Sequence, residues 1–147
     1  MTVSETARHH CFDGWQIFAS HPSRECGVTM NFALYLPPAA ARARVPVLYF
    51  LAGLTCTEET FVLKGGGQRF AAETGIALAA PDTSPRGTAT PGADADWDFG
   101  FGAGFYVDAT QAPWSDYWRM YSYVTAELPR VLADNFPIDP ERQDFLY

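Results

Sequence analysis

Pro46-Val47-Leu48-Tyr49-Phe50-Leu51-Ala52-Gly53-Leu54-Thr55-Cys56-Thr57 is the stretch on which the architecture turns. It opens as an unbroken apolar run, the pattern of a strand covered on both faces. At Gly53 it gives way to small and polar residues. In an open α/β sheet, ligands gather where such a strand ends in a glycine turn. Two readings of residues 53–57 stay open on these residues alone. The turn simply ends a strand, or it forms one wall of an active site with backbone N–H groups facing an oxyanion.

Working outward, Thr57-Glu58-Glu59-Thr60 has the form of a helix start, with acids in a first turn that the macrodipole favours. Gly65-Gly66-Gly67 interrupts the helical pattern, so a short helix, a break and a second helix through Phe70 to Glu73 are expected, stopped by Gly75. Residues 76–80 read as a further buried strand, ended by Pro81-Asp82. Two apolar strands joined through helices make a βαβ unit and hence a parallel pair. Upstream, residues 12–20 alternate loosely, and residues 28–36 place Met30, Phe32, Leu34 and Leu36 on one side. This predicts a hairpin. Downstream, residues 83–113 are rich in Gly, Pro, Asp and aromatics. A connection that long in a folded domain is functional or disordered, and Trp97, Phe99, Phe101, Phe105 and Tyr106 argue for order. Apolar residues then recur at three and four from 114 to 135, a helix that Pro129 should kink or split. Another apolar run begins at Asp144-Phe145-Leu146-Tyr147.

Length and composition suit one domain with a real core: 147 residues, of which 48% are hydrophobic. A net charge of −7 with scattered Lys and Arg excludes a nucleic-acid surface. Cys11, Cys26 and Cys56 are odd in number and irregular in spacing, which suits neither a disulfide framework nor zinc. The first ten residues lack an apolar leader and no run approaches a membrane span, so a cytoplasmic protein without membrane partners is expected.

Several apparent motifs fail on spacing. In Gly100-Phe101-Gly102-Ala103-Gly104, Phe105 stands where a dinucleotide fingerprint needs glycine. In Lys64-Gly65-Gly66-Gly67 the lysine precedes the glycines, unlike a phosphate loop. Asp94, Asp96 and Asp98 open like a calcium loop, but Phe99 and Phe105 occupy its turn-glycine and closing-glutamate positions. His9, His10 and His21 read as parts of a solvated tail. No Gly-x-Ser-x-Gly elbow occurs. Cys56 is either a thiol activated by the turn's N–H groups or an inert buried one.

Four blocks in order carry a resemblance. They are Gly53-Leu54-Thr55-Cys56-Thr57-Glu58; Ala80-Pro81-Asp82-Thr83-Ser84-Pro85-Arg86-Gly87; Trp97-Asp98-Phe99-Gly100 with residues 102–110; and Arg119-Met120-Tyr121-Ser122-Tyr123-Val124. From about Cys11 to about Arg142 the chain resembles S-formylglutathione hydrolases (esterase D). The resemblance implies an α/β-hydrolase fold and a serine thioesterase that cleaves S-formylglutathione to glutathione and formate in formaldehyde detoxification. It implies a Ser-His-Asp triad without metal or organic cofactor, a small-molecule substrate, and room for a homodimer in full-length members. It further implies that Leu54 N–H is an oxyanion donor, that Thr55 and Cys56 lie beside the nucleophile, and that Trp97, Phe99 and Phe105 shape the acyl pocket. The family's nucleophile follows a strand beyond Arg142, and Asp144-Phe145-Leu146-Tyr147 departs from the family's approach to it. The chain is therefore expected to be an N-terminal fragment of a single α/β-hydrolase domain, to lack the triad, and to be inactive alone. A non-catalytic interaction module and a general carboxylesterase of the same fold are the competing expectations.

Overall fold

The computed structural model describes residues 2–147. Its six strands are β1 (Ser4–Cys11), β2 (Gly14–Pro22), β3 (Thr29–Leu36), β4 (Val45–Phe50), β5 (Ala77–Pro81) and β6 (Ile138–Leu146). They form one mixed sheet in the order β1-β2-β3-β5-β4-β6. Neighbours from β1 to β5 are antiparallel, whereas β4 runs parallel to both β5 and β6. The connection from β4 to β5 carries α1 (Glu58–Lys64) and α2 (Gln68–Thr74). The start of α1 is as the residues predict: the Thr57 hydroxyl accepts the Glu59 N–H, and the Thr57 N–H is bonded to the Thr60 hydroxyl. Gly75 ends α2 at φ 72°, a left-handed cap.

The period of two along β3 divides the core. Met30, Phe32, Leu34 and Leu36 face a large cluster with Val45, Val47, Tyr49, Tyr123, Leu128 and Leu132. Ala33 and Tyr35 face the other side, toward Val62 of α1 and Ala71 of α2. β4 departs from the expectation of equal cover on both faces. Val45, Val47 and Tyr49 are buried, while Pro46, Leu48 and Phe50 are half-buried. The reason is that α1 and α2 are short and roof only part of their side.

Three expectations are corrected. Residues 4–11 are not a solvated tail but the edge strand β1, paired along its length with β2. Their polarity on both faces hides the period of a strand, and the β1–β2 turn at Phe12-Asp13 reaches φ 47° and 60° without the Asn-Gly pair that usually announces it. His21, grouped with that tail, is 1% exposed and lies in the core. The helix expected over 114–135 starts only at Met120, after a single 3-10 turn at Trp114–Asp116. It runs as α3 (Met120–Ser122), a π-helical segment (Tyr123–Glu127) and α4 (Leu128–Asn135). Pro129 follows directly on the π segment, which runs unbroken into α4 with the Leu128 N–H on the Tyr123 carbonyl; the proline can make no such bond, and the π segment absorbs the change of register.

Candidate active site

The carboxyl ends of β4 and β5 lie side by side, and the residues that leave them build the site. Beyond β4, Leu51 N–H is still bonded to Leu146 carbonyl at 2.8 Å, and the Ala52 carbonyl accepts the Tyr106 hydroxyl at 2.6 Å. The chain then folds into the turn Gly53-Leu54-Thr55-Cys56, closed by the Cys56 N–H on the Gly53 carbonyl at 3.1 Å. Thr55 takes φ 66° inside it. The Thr55 N–H is used, bonded to the Gly102 carbonyl at 2.8 Å. Among the described residues the Leu54 N–H has no hydrogen-bond partner, and Leu54 is 40% exposed. Leu54 is the residue to which the family resemblance assigns an oxyanion donor.

Residues 82–86 brace this turn from beneath. The Asp82 carboxylate is 4% exposed. It accepts the Thr83 N–H at 2.7 Å and, on its two oxygens, Arg86 Nε at 2.7 Å and Arg86 Nη2 at 2.9 Å. Hydrogen bonding to Asp82 holds the Arg86 guanidinium above its usual pKa, with burial opposing. Arg86 Nη2 and the Thr83 hydroxyl both donate to the Cys56 carbonyl, at 3.1 Å and 2.6 Å. The Ser84 hydroxyl accepts the Gly102 N–H at 2.8 Å. At the first turn of α1, burial pushes the Glu58 carboxyl above the usual range, helped by the negative charge of Asp82 and Glu59.

The long segment that follows β5 is ordered by this contact and by its own aromatics. Gly104 lies so close to the turn that a Cβ there would stand 3.1 Å from the Gly53 carbonyl carbon and 3.3 Å from the Leu54 nitrogen. Its φ of 74° independently requires glycine. One residue on, Phe105 joins Phe99, Val107, Trp114, Trp118 and Met120 around an apolar hollow of about 180 Å³. Trp118 is fixed by its indole N–H on the Thr90 hydroxyl at 3.0 Å. Phe99 and Phe105 therefore meet in one hollow beside the turn, whereas Trp97 is 72% exposed and outside its lining.

The other candidate groups are elsewhere. Cys56 is half-buried at the turn; burial pushes the Cys26 thiol, against Met120, up to about 12. His9 and His10 lie edge-on to Phe18 and Trp15 on the outer strands. The His21 ring contacts the Pro22 carbonyl and the Tyr123 hydroxyl. Among the described residues no serine is hydrogen-bonded to a histidine, and no three His, Cys, Asp or Glu side chains are grouped to hold a metal. Among the described residues no helix is long and apolar enough to cross a membrane. Sequence reasoning assigned no role to Asp82, Thr83, Ser84, Arg86 or Gly104. The signal for the first four was their position directly after a buried strand.

Comparison with known proteins identifies the family and the fold. The family model "Esterase: Putative esterase" matches residues 23–145. The chain is 51% identical over 142 residues to an S-formylglutathione hydrolase of Rattus norvegicus, covering 97% of this chain and 50% of the relative. It is 52% identical over 142 residues to the enzyme of that name from Paracoccus denitrificans, with the same coverage. The solved structure of an S-formylglutathione hydrolase from Agrobacterium tumefaciens superposes with a TM-score of 0.92 at 43% identity, over 96% of this chain and 51% of that one. The chain thus spans about half the length of the curated relatives it matches. With β4 and β5 paired in parallel and a family match over residues 23–145, the chain belongs to the esterase family and has the α/β-hydrolase fold.

Proposed function

We propose that this chain supplies the electrophile-binding side of an S-formylglutathione hydrolase, a serine thioesterase of formaldehyde detoxification. The observation that carries the reading is the free Leu54 N–H on a braced turn at the carboxyl end of β4, in a chain half-identical to enzymes of that name. In the reaction, a serine oxygen attacks the formyl carbon and the carbonyl electrons move onto oxygen. The Leu54 N–H bonds that oxyanion. Collapse of the adduct expels the glutathione sulfur, and water then releases formate from the serine. Removing one such donor typically costs about a hundredfold to a thousandfold in rate. The serine, its histidine and its aspartate are contributed by sequence of the kind that fills the other half of the relatives, since no Gly-x-Ser-x-Gly run occurs among these 147 residues. Phe99 and Phe105 border the acyl side of the pocket, Thr55 and Cys56 the side nearest the nucleophile. The three free cysteines suit a reducing cytoplasm.

Mixing the purified chain with the complementary half of the Paracoccus denitrificans relative tests this. The chain alone leaves S-formylglutathione intact, and the mixture cleaves it. Turnover by the chain alone at the mixture's rate overturns the division of labour. A mixture that cleaves aryl oxyesters but not the thioester replaces the reading with a general carboxylesterase.

A further inference from the structure

Thr55 is β-branched and sits at φ 66°, a left-handed region that strains such a side chain. Strain of this kind persists only where the surroundings over-determine it. On one side, the Thr55 N–H is tied to the Gly102 carbonyl, and Gly102 is itself held by the Ser84 hydroxyl. On the other side, the Cys56 carbonyl receives two donors, the Thr83 hydroxyl and Arg86 Nη2. A carbonyl has two lone pairs, so both are occupied and the plane of the following peptide is fixed. Arg86 is not free to swing away, because Nε and Nη2 grip both oxygens of the buried Asp82 carboxylate. The guanidinium also abuts the turn: a Cβ on Gly102 would lie 3.5 Å from Arg86 Nη2 and 3.8 Å from Thr55 Cα.

We infer that Arg86 is a positioning residue for the oxyanion turn: locked on Asp82, it holds the Cys56 carbonyl so that Thr55 stays left-handed and the Leu54 N–H keeps its aim. The inference deepens the function proposed above and rests on it for its catalytic consequence. Without the grip, Thr55 relaxes to negative φ and the neighbouring peptides rotate, so the Leu54 N–H points elsewhere. Lysine does not substitute, because one ammonium cannot span two carboxylate oxygens and a carbonyl in a fixed plane.

The test has two arms. In ¹⁵N-labelled chain, Arg86→Lys shifts the Leu54, Thr55 and Cys56 amide resonances and leaves those of Ile17 and Leu34 in place. Thr83→Val, which removes the other donor to the same carbonyl, shifts the same three, and it carries the comparison if Arg86→Lys does not fold. Arg69→Lys, an exposed pair with Glu73, shifts none of them. In the reconstituted mixture, Arg86→Lys lowers kcat about tenfold to a hundredfold with KM changed by less than about twofold. Unmoved resonances in the variants overturn the inference, as does a raised KM at unchanged kcat, which would make Arg86 a substrate contact. If the resonances move but the parent mixture does not cleave the thioester, the oxyanion assignment fails while the bracing of the turn stands.

Discussion

Among the described residues two carboxylates are buried, Asp82 and Glu127, and they are held in opposite ways. Asp82, at the end of β5, is gripped by a cation, the half-exposed Arg86. Glu127, on the π-helical segment, has no cation partner among the described residues. It accepts the Ser23 hydroxyl at 2.5 Å, the Arg24 N–H at 2.7 Å and the Glu25 N–H at 3.3 Å, and it is 7% exposed. Both stitch distant parts of the chain together. Asp82 does so through Arg86, a side chain that also holds the turn at residues 53–56. Glu127 does so through the backbone of the β2–β3 connection, fastening the hairpin to the helix above the sheet. A carboxylate satisfied by neutral donors in a dry place is an anchor. One satisfied by a forked cation with a donor to spare can also orient something else.

The contrast predicts effects of different size and kind. Glu127→Ala should cost the most, about 3 kcal/mol, because it leaves a buried hydroxyl and two amides unpaired. Urea unfolding measures this, and the Leu54 amide resonance should stay where it was. A comparable loss that also moved Leu54 would erase the distinction between anchor and brace.

Next comes a pH effect beside the anchor. His21 Nδ1 donates to the Pro22 carbonyl at 3.1 Å, and Nε2 lies 3.3 Å from the Tyr123 hydroxyl. Burial pushes its pKa below the ordinary value, with smaller upward pulls from Pro22 and Glu127. Well above the ordinary value of about 6.5 neither the folded nor the unfolded imidazole is charged. Below it, the unfolded chain takes up the proton first, so stability falls with falling pH by at most about 1.4 kcal/mol per unit from this group. His21→Gln should flatten that slope in unfolding curves taken between pH 5 and 7, and an unchanged slope would assign it elsewhere.

Asp82→Asn should cost less, about 1 kcal/mol, since the Arg86 head is partly in water and retains other partners. Unlike the anchor variant, it should move the Leu54, Thr55 and Cys56 resonances. Smallest is Arg69→Ala, which breaks an exposed helical pair with Glu73 and should change stability by less than about 0.5 kcal/mol.

The residues alone determined the buried strand before Gly53, the capped helix at Thr57, the broken helix pair, the parallel partner after Gly75 and the family to which these belong. Each is a local pattern, an apolar run or a cap, that declares itself within a few neighbours. Strand β1 and the core placement of His21 were not legible, because an edge strand has no apolar period and a lone histidine carries no mark of its depth. The π segment before Pro129 was visible only as a disturbance. What tertiary structure alone decided is the brace: which of many polar side chains after β5 reach back to the Cys56 carbonyl, and that the Leu54 N–H is left without a partner. Those facts depend on two chain segments about thirty residues apart meeting at one end of a sheet, and hydrogen-bond geometry is set by that meeting, not by the identity of any residue within it.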